Sequence, residues 1–554
     1  MKKESDLWKL LKKNTPEIRW TRVESWASPG VPDCIGYHDS CGLFMVELKL
    51  AHGPRVVFSP HQILWHQTHT LLEKVDEYLK TTNPDRIGYF AFTKKAANEA
   101  KERAMKKFSL EEDDLPYFRT LHSLAFKSLG LKKNQVMQKR HYEDLGRKEH
   151  LFLDYNDYDE EETGLFSTKS DYLRIINLAK LRNITIDEQY NLKEHNQDVE
   201  YSTLIHLSEQ LVQYKKDYNL IDYNDMILNF IKEEKSPNFD VVFIDEAQDL
   251  SLMQWDMVKH ITDKTVDSFI AGDDDQAVFR WAGADVDSFI AQKGKIIELK
   301  ESRRVPKKIH ELANSIIGRV NNRVDKSWNP KEHEGKLSAY DSFEDVDMSS
   351  GKWLVLTRTR SMLDPLEEII RDRGFYYDNR FKKLYEKDIQ EAATSWEYLI
   401  KGQMLDSKQI ENISKYISVE KWNKDKLKSI VKNTVYSLEQ LQKDYGLKTN
   451  EIWYEAFDQA GEKRINYIRR MKRNGEMLNQ EPRIKLSTIH SAKGGEEDNV
   501  VLLTDLTYNT KKSYDKNQDD ETRLFYVGAT RTKEHLHIIR PKDDNKCYPM
   551  EEII

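Results

Sequence analysis

Five short apolar runs, each closing on polar or acidic residues, constrain the fold of this chain more than any other feature. They are IGYFAFT (Ile87–Thr93), VVFIDEA (Val241–Ala247), SFIAGD (Ser268–Asp273), WLVLTRT (Trp353–Thr359) and NVVLLTD (Asn499–Asp505). Continuous apolar strands of this kind belong to parallel sheets covered by helices, with chemistry gathered at the strands' carboxyl ends. The amphipathic segment LLEKVDEYL precedes the first run, and the helix-forming segment KKAANEAKERAMKKF follows it. The expected fold class is therefore α/β. Two long, charged, mostly helical stretches, 128–200 and 385–480, carry no catalytic signature and read as insertions into two such cores. The acidic run Asp154–Glu162 reads as a solvated loop.

A chain of 554 residues is long enough for several domains with sizeable cores. With 38% apolar and 33% charged residues it has no run of about 18 apolar residues, so no membrane span is expected. The start, MKKESDLWKLLKK, lacks the apolar core of a signal peptide. Cys34, Cys41 and Cys547 are too few and too scattered for a disulfide framework or a zinc site. A cytoplasmic location is expected. The net charge of −7 gives no global nucleic-acid footprint, but large nucleic-acid motors bind through local grooves, so a DNA partner stays open.

Near the start, Asp33–Tyr37 and Leu43–Leu50 are β-rich and separated by HDSCG, which predicts a hairpin. Glu47 and Lys49, two apart on one strand, point to the same face and can meet Asp33 across the turn. Two carboxylates at one point are ligands for Mg²⁺, and a lysine beside them can position the attacking water or stabilise phosphorane charge. The combination resembles the PD-(D/E)XK nucleases, especially the small VRR-NUC type, in the stretch TRVESWASPGVPDCIGY…FMVELKLAHG…FSPHQILWH. That resemblance implies that Glu4 and Gln62 complete the site. The family domain normally continues past HQILWH with more helix and a closing strand. A missing edge strand would leave backbone groups and apolar surface uncovered.

Downstream, FIDEAQD (Phe243–Asp249) offers Asp245 for Mg²⁺ and Glu246 to polarise an attacking water. In AGDDDQAVFRWAGAD (Ala271–Asp285), Gln276 can touch a γ-phosphate and Trp281 can stack a base. TIHSAKGGEEDNVV brings Lys493, Gly494 and a second glycine to a strand edge. Arg531 in ETRLFYVGATRT and Arg304 in LKESRRVP suit the charge of a transferring phosphoryl group.

In order and spacing, over about residues 70–541, these motifs resemble the UvrD/Rep-like helicases of superfamily 1. The resemblance implies two RecA-like parallel-sheet cores with helical insertions. One core is 67–127 with 201–300, the other 301–384 with 481–554, behind a nuclease-like segment at 1–66. It implies ATP and Mg²⁺ as cofactors and single-stranded or junction DNA as partner. It also places Phe92, Thr93, Thr120 and His122 on the DNA strand, Trp281 on a base, Glu496 on the ribose, and Arg531 as the finger from the second core. DNA repair or replication is the implied setting.

The family places a phosphate loop, GxxxxGK[ST], just before LLEKVDEYL. Here the run is ILWHQTHTLLEKV, with Thr68 as a relic of the loop's threonine and Gln67 where its lysine would stand. Without the loop, consecutive N–H groups cannot wrap the β- and γ-phosphates, and the lysine charge is gone. The family's first sheet strand and its adenine-contacting glutamine are expected to be missing too. The chain reads as a fusion formed by deletion: a helicase by ancestry, moving 3′ to 5′, with ATP hydrolysis severely reduced. Two other readings stay open, an active Mg²⁺-dependent nuclease–helicase and an inactive single-strand binder.

Overall fold

A computed structural model describes residues 71–155, 168–196, 198–382, 388–476 and 481–550, and the backbone alone of 19–22, 34–38, 42–46, 55–59, 64–70 and 386–387. The chain divides into two compact units, Met1–Arg55 and Val56–Ile554. The first holds an antiparallel sheet of β1 (Arg19–Arg22), β2 (Cys34–His38) and β3 (Gly42–Val46), in that order. β2 and β3 pair from Cys34↔Val46 to His38↔Gly42, giving the expected hairpin. Glu4, Asp33, Glu47, Lys49 and Gln62 lie outside the described residues.

The second unit is α/β and carries two six-stranded sheets. The first contains β4 (Arg55–Ser59), β5 (Ile87–Ala91), β6 (Phe118–Arg119), β7 (Val241–Asp245), β8 (Asp267–Ala271) and β9 (Lys295–Glu298), ordered β6-β5-β7-β8-β4-β9. Alternation along the strands sorts their side chains between two layers. Tyr89, Val241 and Phe243 pack with Leu71, Val75 and Ala100 of the helices Leu64–Leu79 and Lys94–Phe108. Phe90, Val242 and Ile244 pack on the other face with Phe230, Met257 and Ile261.

β4 corrects one expectation. The strand before the phosphate-loop position was expected to be absent, yet β4 lies between β8 and β9 and pairs parallel with β9, Val56↔Lys295 to Ser59↔Glu298. A gap there would leave two ladders of N–H and C=O groups unpaired inside a covered sheet. The residues RVVFS, read in the sequence as part of the nuclease pattern, supply the missing pairing.

The second sheet contains β10 (Lys336–Tyr340), β11 (Trp353–Thr357), β12 (Tyr377–Asn379), β15 (Ile484–Thr488), β16 (Glu497–Leu503) and β17 (Thr532–Ile539), ordered β10-β17-β16-β11-β15-β12 and parallel at every pairing. The short antiparallel pair β13 (Leu405–Asp406) and β14 (Val435–Tyr436) belongs to the helical stretch inserted in this core. That stretch has its own apolar cluster around Trp396, Trp422 and Phe457.

The first insertion likewise has a cluster from Met137 to Leu220. The helix Tyr201–Asp217 gives Leu204, Leu207 and Leu211 to it, so the inserted body continues past the expected boundary at residue 200. Among the described residues no helix is long and apolar enough to cross a membrane.

Candidate functional site

Where β7 ends, the chain turns sharply. Asp245 is its last residue, and Glu246 follows with φ +53° and ψ +39°, a left-handed conformation uncommon for a residue with a side chain. The next turn, Ala247–Asp249, aims Gln248 at β8's end. Gln248 donates to Glu246 at 2.5 Å and accepts the Asp273 N–H at 2.8 Å. Asp245 is buried. Its Oδ1 accepts the Glu246 N–H at 3.0 Å and its Oδ2 accepts the Tyr89 hydroxyl at 2.8 Å. Burial, then the neighbouring Glu246 charge, push the Asp245 carboxyl up to about 7. Burial and the same carboxylates raise the Tyr89 phenol well above its usual range, so it remains a donor.

The second core closes over these groups. Lys493 donates to Asp249 and to the Gln276 carbonyl at 3.0 Å, and its ammonium lies 3.3 Å from Glu246. Gly494 follows at φ +80°, a backbone setting that favours glycine. Gln276 donates to Asp273 at 2.6 Å and accepts from Arg531 at 3.1 Å. Arg304 and Lys533 both hold Glu496, at 3.4 and 2.9 Å. Asp245, Glu246, Gln276, Arg304, Lys493, Gly494, Glu496 and Arg531, singled out in sequence from positions nearly 300 apart, therefore meet around one site between the cores.

Arg304 and Arg531 are both fully buried, and burial is the main force lowering their affinity for the proton, with each other's charge adding to it at Arg304. Arg304 Nε and Nη2 and Arg531 Nη1 are shielded from solvent with no acceptor. Buried guanidinium donors left open in this way fit an oxyanion such as a polyphosphate. β4 ends at Ser59 and the helix Leu64–Leu79 begins five residues later, and between Arg55 and Glu73 there is neither glycine nor lysine. Thr68 and Gln67 lie in that helix, their side chains outside the described atoms. Among the described residues no three carboxylate, histidine or cysteine side chains cluster as a metal cage.

A second concave region opens beside β5 and β6. Its volume is about 480 Å³, lined by Phe92, Lys94, Lys101, Arg119, Thr120 and His122 among others. Thr93 and Thr120 cap the helices Lys94–Phe108 and Leu121–Ser128, accepting the Ala96 and Ser123 N–H groups, both at 3.2 Å. Burial pushes His122 down to about 4, so it stands neutral, edge-on to Tyr223. Phe92 stacks on Phe279 at 5.7 Å. His490 links Phe279 at 6.2 Å to Trp281 at 5.9 Å, and Trp281 itself is 53% exposed. The linking rings Phe279 and His490, the lining cations Lys94 and Arg119, and Tyr89 were passed over in the sequence, since only the tertiary fold brings them to the site.

Comparison with known proteins matches residues 67–296 to the UvrD/REP helicase N-terminal domain and residues 243–543, more than half of the chain, to the UvrD-like helicase C-terminal domain. Relatives include the ATP-dependent DNA helicase PcrA of Bacillus subtilis, 24% identical over 61% of this chain and 47% of that protein. The ATP-dependent DNA helicase Rep of Buchnera aphidicola is 25% identical over 42% of this chain and 38% of its own length. PcrA of Staphylococcus aureus is 22% identical over 54% and 43%. The chain spans less than half the length of each.

Proposed function

The chain belongs to the UvrD/Rep-like helicase family, and from that premise we propose that it is a DNA-binding member whose ATP hydrolysis is severely reduced. The observation that carries this reading is the sequence from Arg55 to Glu73, between the start of β4 and the helix Leu64–Leu79, which holds neither glycine nor lysine. When bound, magnesium triphosphate brings the reactive phosphorus and the charge that such sites are built to meet.

What this chain's residues can still do is asymmetric. Arg304 and Arg531 hold open donors for phosphate oxygens, and Gln276 ties Arg531 to the end of β8. Glu246, the candidate for polarising water, is instead drawn to Lys493 and Gln248. Loss of the loop and its lysine removes several kcal/mol of charge stabilisation at the reacting phosphate. Single-stranded DNA is the proposed partner, held along Phe92, Thr120 and His122 toward Trp281. The capped helix ends and Lys94 and Arg119 support a phosphate backbone there. On this reading ATP-dependent DNA unwinding with 3′-to-5′ movement is the chain's ancestry rather than its present activity, and its setting is the cytoplasm.

The test is DNA-stimulated ATP turnover by the purified full chain. Turnover near background with single-stranded DNA binding retained is expected, and robust DNA-stimulated hydrolysis would overturn the reading. A second reading, Mg²⁺-dependent cleavage at Asp33, Glu47 and Lys49, is favoured by the β2–β3 hairpin, whose paired end Cys34↔Val46 adjoins Asp33 and Glu47 in sequence. It requires cleavage of DNA that disappears in Asp33→Ala.

A further inference from the structure

Asp245 and Glu246 are the carboxylates on which a divalent cation would depend, and Asp245 is already committed. Both its oxygens accept hydrogen bonds from the protein, one from the Glu246 N–H and one from the Tyr89 hydroxyl at 2.8 Å. Tyr89 has no freedom to leave. It is fully buried, and β5 pairs on both sides at this residue, Tyr89↔Phe118 of β6 and Tyr89↔Phe243 of β7. Its ring stacks on Phe118 at 5.6 Å, 12° from parallel. Swinging the phenol away would open the core beneath the sheet.

We propose that Tyr89 is a fixed hydroxyl cap on Asp245, which satisfies the carboxylate from within the protein and weakens divalent-cation binding at the end of β7. A hydrogen bond to an ionised carboxylate is about twice as strong as one between neutral groups and draws negative charge from the oxygen that accepts it, so a cation there meets a poorer ligand. Tyr89 is thus a positioning residue acting through Asp245. The inference rests on the reading that hydrolysis is reduced, and adds a cause on the protein's own side, separate from the absent loop.

The experiment is Mn²⁺ binding to the full chain without nucleotide, by calorimetry and by Mn²⁺ paramagnetic resonance. Tyr89→Phe keeps the ring and its stack and removes only the donor. It is expected to bind Mn²⁺ roughly tenfold more tightly than wild type, the worth of one hydrogen bond to a charged group, and the gain should vanish in Tyr89→Phe/Asp245→Asn. Affinity unchanged or weakened in folded Tyr89→Phe overturns the proposal, whatever happens to thermal stability. Should the variant fail to fold, Tyr89→Leu, which also lacks the hydroxyl, is read in the same way. Tighter Mn²⁺ binding than wild type that Asp245→Asn removes supports the cap, and affinity unchanged or weakened overturns it. ATP turnover by wild type would sink the loss-of-hydrolysis reading, but these nucleotide-free comparisons would stand apart from it.

Discussion

At Asp245 burial and a neighbouring negative charge act in one direction, raising its carboxyl to about 7. A carboxyl so raised holds its proton more tightly in the folded chain than in the unfolded one, where it titrates near about 4. Its contribution therefore turns against the fold as pH climbs from about 4 through about 7, and is fully unfavourable above that window. Asp245→Asn should melt at a higher temperature than wild type at pH about 8, with the gap closing as pH falls toward about 5, as read by scanning calorimetry. Trp281 calls for a different measurement. Half-exposed and edge-on to His490, it is free to stack a base, so Trp281→Ala should weaken single-stranded DNA binding by about 1–3 kcal/mol in fluorescence anisotropy. Trp281 was legible in the sequence because its motif follows an apolar strand. Tyr89 was not: its hydroxyl reaches a carboxylate 156 positions away only because β5 lies beside β7, and strand order is absent from any local pattern.

Among the elements, the helix Tyr223–Lys232 joins the first insertion to its core through a buried set of charges. Asp222 caps this helix and Asp225 closes the capping box. Lys180, from the helix Asp171–Leu181, lies 2.9 and 3.1 Å from the two carboxylates, and Lys215, from Tyr201–Asp217, lies 2.7 and 2.6 Å from them. Burial alone would raise the Asp222 carboxyl, but the two ammonium groups overcome it and hold it far below the usual range. Lys215→Met leaves a buried carboxylate short of a partner and should cost about 3–5 kcal/mol. The loss should appear as weakened hydrogen-exchange protection in both lysine-bearing helices before the sheets are affected. Leu204, Leu207 and Leu211 show at helical spacing that Tyr201–Asp217 buries a face. Spacing does not say which body receives that face, which is why the insertion was read as ending at residue 200.

Across the whole molecule, the parallel sheets and helical insertions could be anticipated, because continuous apolar strands and charged helical stretches differ plainly in composition. β4 could not, since RVVFS was read within the nuclease-like segment 1–66 and only pairing in the sheet assigns it to the first core. Its position makes a quantitative expectation. A chain lacking residues 1–59 loses the strand between β8 and β9 and should melt lower than one lacking 1–54 by roughly 10 °C, the equivalent of several kcal/mol, with greater aggregation on light scattering. Similarity to the helicase family begins at residue 67, whereas the compact unit begins at Val56. Homology and architecture are thus out of register in this protein. A laboratory that trims it where the family match starts will remove a strand from inside a sheet and expose the two ladders it had paired.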